Sequence, residues 1–403
     1  MTKSDFLRSG HTPTLIASFL YFDLAFMVWV ILGPLAPLIA QDLGLNAAQK
    51  GLMVATPTLA GAVLRIVNGL LGDRIGCKKA GAINQIVVIA GLLTAWAAGV
   101  HSFLGVIALG VVLGFAGASF AIALPLVSRW YPPEHQGKAM GIAGMGNSGT
   151  VLAALFAPVL AKAFGWNEVF GLACVPLALV LCLYLVMAKD APNKPAPKSL
   201  TEYFAPLKTP DAWYLMLFYS VTFGGFVGLA ASLSIYFTDM FGLTAVQAGY
   251  ATAACVFAGS LVRPIGGALA DAIGGAKTVS IVYCVAAAAL VGIAMVSTSF
   301  SASLGLFIVA MLALGCGNGA VFQLVPQRFG KEIGVVTGLV GMAGGVGGFY
   351  LASSLGFAKQ VTGSFAPGFL IFAGLALVAL AVMTVVKTRW RIDWTAGLEG
   401  ARI

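Results

Sequence analysis

The chain has 403 residues, 60% of them apolar and only 9% charged, with a mean hydropathy of +0.96. A soluble domain carries about 25% charged residues and a disordered chain is poor in apolar ones, so both classes are excluded and a protein with many membrane crossings remains. The net charge of +9 would point to nucleic acid only if basic residues clustered on a soluble face, and here they are dispersed among short loops.

Apolar runs of about 20 residues suffice to cross a hydrocarbon core about 30 Å thick. Such runs predict spans near 14–40, 47–72, 80–100, 103–128, 139–161, 166–188, 212–238, 245–270, 278–298, 303–325, 333–356 and 366–386. The first is too long for a signal-peptide core and has no removable cleavage site. The expectation is an all-α polytopic membrane protein of twelve helices with both termini on one side.

Loops on the terminus side hold Lys3, Arg8, Arg74, Lys78, Lys79, Arg129, Lys138, Lys189, Lys194, Lys198, Lys208, Lys277, Arg328, Lys331, Lys387, Arg389, Arg391 and Arg402. That is 18 of the 23 basic residues, and only Lys50, Lys162 and Lys359 lie on the other side. The positive-inside rule predicts cytoplasmic termini in a multi-pass protein of the cytoplasmic, or inner, membrane. Residues 189–211, rich in lysine and proline, read as a cytoplasmic linker that interrupts helix. It separates an N-terminal six-helix bundle (1–188) from a C-terminal six-helix bundle with a short tail (212–403). The six cysteines show no CxxC spacing and five lie in apolar runs, so no metal site, cofactor or disulfide framework is expected.

The two bundles repeat each other. Residues 60–79 (AGAVLRIVNGLLGDRIGCKK) and 258–277 (AGSLVRPIGGALADAIGGAK) share nine of twenty positions at an offset of 198, including Arg65/Arg263, Gly69/Gly267, Asp73/Asp271 and Gly76/Gly274. Gly137, Gly141, Gly144 and Met145 match Gly334, Gly338, Gly341 and Met342 at an offset of 197. A parallel repeat of six helices, with pseudo-two-fold symmetry about the membrane normal and substrate bound between halves, describes major facilitator transporters. The loops GDRIGCKK and ADAIGGAK resemble that superfamily's G-x-x-x-D-(R/K)-x-G loop. The resemblance implies a gate role for Asp73, Arg74 and Asp271, although Ala272 replaces the basic residue in the second copy.

Arg65 and Arg263 each lie eight residues before the loop aspartate, which is about 12 Å of helix. An arginine at that depth costs about 2.5–3.5 kcal/mol and faces a cavity or a partner rather than lipid. Symmetry brings both near the axis, and two planar, forked guanidiniums suit a small planar anion between them. The alternative is that each takes a structural acid or backbone carbonyls. Asp23 is the one acid in the interior of the predicted apolar runs, Glu168 standing at the edge of its own, so a single deep acid would have to neutralise both. Glycine-rich stretches at 144–149 and 341–349 would allow either close helix packing or bending.

These residues together resemble the nitrate/nitrite porters of the major facilitator superfamily across essentially the whole chain. The resemblance rests on Arg65 in AGAVLRI, Arg263 in AGSLVRP, the nitrate signature AGMGNSG (143–149), its counterpart GMAGGVGGF (341–349) and FDLAFMVWVILGPLAP (22–37). It implies that Arg65 and Arg263 clamp nitrate or nitrite, that Asn147 hydrogen-bonds it, and that Phe120, Tyr219 and Phe223 wall the site. The signature glycines are Gly144, Gly146, Gly149, Gly341, Gly344, Gly345, Gly347 and Gly348. Nothing in the spans offers a nucleophile, an acid–base pair or a metal cluster, so no enzyme is expected.

Import of an anion against an inside-negative potential costs about 2.3 kcal/mol per 100 mV, so accumulation requires protons or an outgoing anion such as nitrite. Asp23 is the candidate proton site, which tilts the reading toward symport, with nitrate/nitrite exchange left open. A porter for oxalate, cyanate or phosphate shares these features; an anion channel would not need the repeat or its gate loops. The expected partners are the small anion, the coupling ion and the lipid bilayer, with no nucleic acid and a monomer as the functional unit.

Overall fold

The computed structural model describes residue 6 and residues 8–192, 199–296, 299–329 and 333–395, excluding the side chains at 133, 134, 136–138, 333 and 391–395. Lys3, Lys194, Lys198, Lys331 and Arg402, counted above on the terminus side, lie outside these residues, as do the side chains of Lys138 and Arg391. Among the described residues every regular element is helical, and 12 helices are long and apolar enough to cross a membrane.

The spans are Thr12–Leu43, Ala47–Ile75, Cys77–Ala98, Phe103–Ser128, Ala139–Phe164 and Glu168–Met187, then Pro210–Phe241, Ala245–Ile273, Gly275–Met295, Phe300–Phe329, Gly334–Thr362 and Ala366–Trp390. They are numbered 1–12 in this order. Each corresponds to a predicted run, usually with an added turn at one or both ends. Hydropathy stops at the last apolar residue, whereas the helix runs on to its cap. Span 2 continues through Asp73 and Arg74 to Gly76, and span 7 begins at Pro210 with Asp211 in its first turn.

The internal repeat is also written in the caps. Asn46 and Thr244, 198 positions apart, each close a capping box with a glutamine three residues on, Gln49 and Gln247. The left-handed turns at Gly44, Gly76 and Gly165 recur at Gly242, Gly274 and Gly363, with φ of 63°, 94° and 98° against 64°, 100° and 73°. Glycine suits these positions because a β-carbon is strained at such φ.

The segment predicted as a helix-interrupting linker contains structure of its own. Ser199 caps a short helix, Leu200–Phe204, through a capping box with Glu202, and a 3₁₀ turn, Ala205–Lys208, follows. Pro210 opens span 7 rather than breaking it, because the first helical position needs no N–H donor.

Four spans are interrupted where the site forms. Span 1 breaks at Val30 and Ile31, just before Pro34, and span 4 breaks at Ala118 and Ser119. Span 5 tightens to a 3₁₀ turn at Met145–Ser148, and span 8 is divided at Val262 beside Pro264. Span 2 packs along span 11: a methyl on Gly51 would lie 2.8 Å from the Cα of Gly356, so only glycine permits that approach.

Candidate anion-binding site

Arg65 lies in an unbroken stretch of span 2, 1% exposed. Its Nε donates to the carbonyl of Gly117 at 3.2 Å, and its Nη1 donates to the carbonyl of Gly341 on span 11. The break in span 4 turns the Ala121 N–H to Ala118 O at 3.0 Å, in 3₁₀ fashion, beside the Gly117 carbonyl that receives Arg65. Three rings surround the guanidinium carbon: Phe223 at 5.2 Å, Phe120 at 5.3 Å and Trp29 at 5.5 Å. Such stacking stabilises a desolvated cation by about 2 kcal/mol or more. Nη2 has no hydrogen-bond partner among the described residues.

Arg263 stands at the start of the second helical piece of span 8, partly exposed. Its Nη2 donates to the hydroxyl of Tyr219 at 3.3 Å, its guanidinium lies 5.7 Å from the Phe322 ring, and Nη1 is unpartnered among the described residues. Tyr219 accepts from Arg263 and stacks on Phe223, one of the rings that cover Arg65. Its ring stacks on Phe223 at 5.0 Å with a 7° tilt, it meets Phe322 edge-on at 4.8 Å, and its hydroxyl lies within the electrostatic reach of both cations.

Backbone carbonyls, the alternative partners weighed from the sequence, therefore hold two of the three Arg65 nitrogens. No described acid pairs with either arginine. The Asp23 carboxylate, 7% exposed, accepts instead from Ser148 Oγ at 2.6 Å. Asn147 is 2% exposed in the 3₁₀ turn, its amide oxygen without a partner among the described residues and its carbonyl taken by Thr150 at 2.7 Å. Phe120 and Phe223, expected as walls around an anion, stack on Arg65.

The glycines of the two stretches divide by role. Gly146 and Gly149 seat span 5 on Phe22 and the backbone of Asp23. Gly344 faces the Tyr219 and Phe223 rings, Gly347 the backbone of Ser220, Gly348 Val227, and Gly345 Thr58 and Ala62 of span 2. Gly144 has nothing within 4 Å of where a β-carbon would stand, so it makes no close approach. Span 11 stays helical through the five glycines of its stretch, and of the two stretches only the one in span 5 departs from α-helix.

The loop residues differ in their surroundings. Asp73 pairs with Arg129 at 2.6 Å, whereas Arg74 is exposed. On span 10 Arg328, the counterpart of Arg129 at an offset of 199, pairs at 2.5 Å with Asp211 of span 7, which also accepts from Trp390 at 2.8 Å. Asp271 is exposed and has an interaction of its own. Sequence reading missed Trp29, Phe322, Arg129, Arg328 and Asp211. Only the Arg129/Arg328 spacing offered a signal for any of them.

A family model of the Major Facilitator Superfamily matches residues 17–352. The nitrite extrusion protein of Bacillus subtilis is 33% identical over 362 residues, 89% of this chain and 90% of that protein. The chain belongs to the nitrate/nitrite porter family of the major facilitator superfamily. The "Probable nitrate/nitrite transporter NarK2" of Mycobacterium tuberculosis (strain ATCC 25618 / H37Rv) is 35% identical over 371 residues, 88% of this chain and 91% of that protein. The "Probable nitrate transporter NarT" of Staphylococcus carnosus is 33% identical over 364 residues, covering 89% and 92%. The bacterial homolog of the human lysosomal transporter Spinster, in its inward-facing unoccupied form, shares the fold with a TM-score of 0.74 at 18% identity over 95% of this chain and 98% of that one. This porter-family chain is thus a multi-pass membrane protein with a transporter's architecture.

Proposed function

We propose that this chain carries nitrate or nitrite across the cell membrane by alternating access. Two six-helix halves, 1–188 and 212–403, joined by the cytoplasmic linker 189–211, rock about a site between Arg65 and Arg263. The observation that carries this reading is the pair of deep arginines, one from each half, linked through Tyr219 and Phe223, each with a guanidinium nitrogen that has no partner among the described residues. Unpaired buried donors are costly, and a flat anion with three equivalent oxygens satisfies both forks at once. Asn147, buried in the 3₁₀ turn of span 5, supplies an amide to the same ligand. The names of the relatives support nitrate and nitrite over larger acids.

The termini face the cytoplasm, as the distribution of basic loops indicates. Uptake of nitrate is driven by protons, with Asp23 as the group that takes them up. Its bond to Ser148, at the 3₁₀ turn next to Asn147, links its protonation to the geometry of span 5. Exchange of nitrate for nitrite is the second reading, favoured by the placement of Asp23 on Ser148 rather than on an arginine.

The test is purified protein in liposomes, assayed for nitrate and nitrite uptake with a pH gradient, without one, and with internal nitrite. The reading expects saturable uptake that survives competition by oxalate. Failure to move either anion, or displacement by carboxylates at equal concentration, overturns it. Stimulation by internal nitrite with no response to the pH gradient assigns exchange.

A further inference from the structure

Toward the termini, spans 2 and 11 meet around a side chain that belongs to neither. Tyr203, in the short helix Leu200–Phe204, is 3% exposed although it lies in the connection between spans 6 and 7. A methyl on Gly69 of span 2 would meet its hydroxyl at 3.1 Å and Cε2 at 3.5 Å. A methyl on Gly338 of span 11 would run into the same hydroxyl and lie 3.3 Å from Cζ. The phenol therefore occupies the hollow that these two glycines form. Burial first, and the Asp73 charge second, push its pKa up, so the group there is neutral.

The repeat supplies an internal control. Gly69 corresponds to Gly267 on span 8, and Gly338 to Gly141 on span 5. A β-carbon on Gly141 would meet nothing within 4 Å, and one on Gly267 only the Gly319 carbonyl at 3.9 Å, in span 10. The chain passes from its first six spans to its last six once, and no described residue of the linker fills the related seam. Arg65, above the filled seam, is buried, and Arg263, on span 8, is partly exposed.

We propose that Tyr203 is a wedge that sets the spacing of spans 2 and 11 on the terminus side, and so directs opening of the site on that side to the seam between spans 5 and 8. Its purpose rests on the transport reading above, but its geometry can be read without transport.

The test places spin labels at Ile75 and Gly334 across the filled seam, and at Met140 and Ala272 across the unfilled one, in full-length protein with its native cysteines replaced. Across a nitrate titration the span 5–span 8 pair should show two distances and the span 2–span 11 pair one. Tyr203→Ala should give the latter a second, longer population. Gly338→Ala should lengthen the span 2–span 11 distance, because the new methyl meets the hydroxyl, and adding Tyr203→Phe should restore it. Gly141→Ala should change neither pair. Two populations across spans 2 and 11 in the unaltered protein, a single one in Tyr203→Ala, or no rescue of Gly338→Ala by Tyr203→Phe would each overturn the wedge. Nitrate without effect on either pair would instead count against the anion reading, while the Gly338/Tyr203 comparison would still decide the wedge.

Discussion

The seam between spans 2 and 11 and the seam between spans 5 and 8 are related by an internal repeat, yet they are built differently. Spans 2 and 11 touch backbone to backbone at Gly51 and Gly356, again at Gly345 against Thr58 and Ala62, and through the Arg65 bond to Gly341. Spans 5 and 8 approach closely where Gly249 meets Ala154 and Pro158, and Gly141 toward the termini faces open space. Part of the difference is one residue: Ile66 follows Arg65 inside a continuous helix, whereas Pro264 follows Arg263 and divides span 8. One arginine is thereby fixed by carbonyls and rings, and the other is held mainly by Tyr219. A rigid seam opposite a looser one suits a bundle that opens on one flank at a time.

The largest effects should come from the arginines that the two seams hold so differently. Arg65→Lys keeps the charge but loses the fork, two carbonyl bonds and the stacking. With charge-assisted bonds contributing about 1.5–3 kcal/mol each, nitrate uptake in liposomes should fall by roughly a hundredfold or more. Arg263→Lys, which gives up one bond to Tyr219 and one ring contact, should lose less; equal losses would erase the distinction between the seams. Asp23→Asn comes next. Accumulation driven by a pH gradient should vanish while nitrate counterflow persists, and retention of gradient-driven uptake would remove Asp23 from coupling.

A smaller effect is expected at the far end of the close seam. Gly356→Ala places a methyl 2.7 Å from Gly51 Cα, and overpacking of this kind costs about 1–3 kcal/mol. The thermal unfolding midpoint in detergent should drop, while Gly141→Ala leaves it in place. The smallest is Lys50→Gln. The Lys50–Asp239 pair, at 2.6 Å with side chains 15% and 21% exposed, closes the face opposite the termini, about 22 Å of helix from Arg65. Partly exposed pairs contribute up to about 1 kcal/mol, so half-saturation for nitrate should move by no more than about fivefold. A larger shift would make that pair a principal gate.

Much of the fold was legible because burial in lipid acts on each segment by its own composition. All twelve spans could be read from apolar length, and the repeat from Arg65/Arg263 and the loop aspartates. The caps Asn46 and Thr244 and the glycines 198 apart were available but lay in short polar stretches that a search for apolar runs passes over. At the candidate site, the arginines, Asn147, Tyr219 and Phe223 could be named, the aromatics through resemblance alone. Trp29 and Phe322 could not, since neither differs in pattern from an ordinary core aromatic. Asp73 could be named from the loop motif, but its partner, Arg129, just past the end of span 4, is brought to it only by the fold.

The sequence by itself determined how many times the chain crosses and that two forked cations sit deep in related helices. Both follow from the cost of placing polar groups in hydrocarbon, a cost each segment bears alone. Tertiary structure alone decided which carbonyls and rings receive Arg65, that Tyr203 fills one seam, and that the repeated halves are joined unequally. Those outcomes depend on how closely distant backbones approach, and a glycine permits such an approach without specifying its partner.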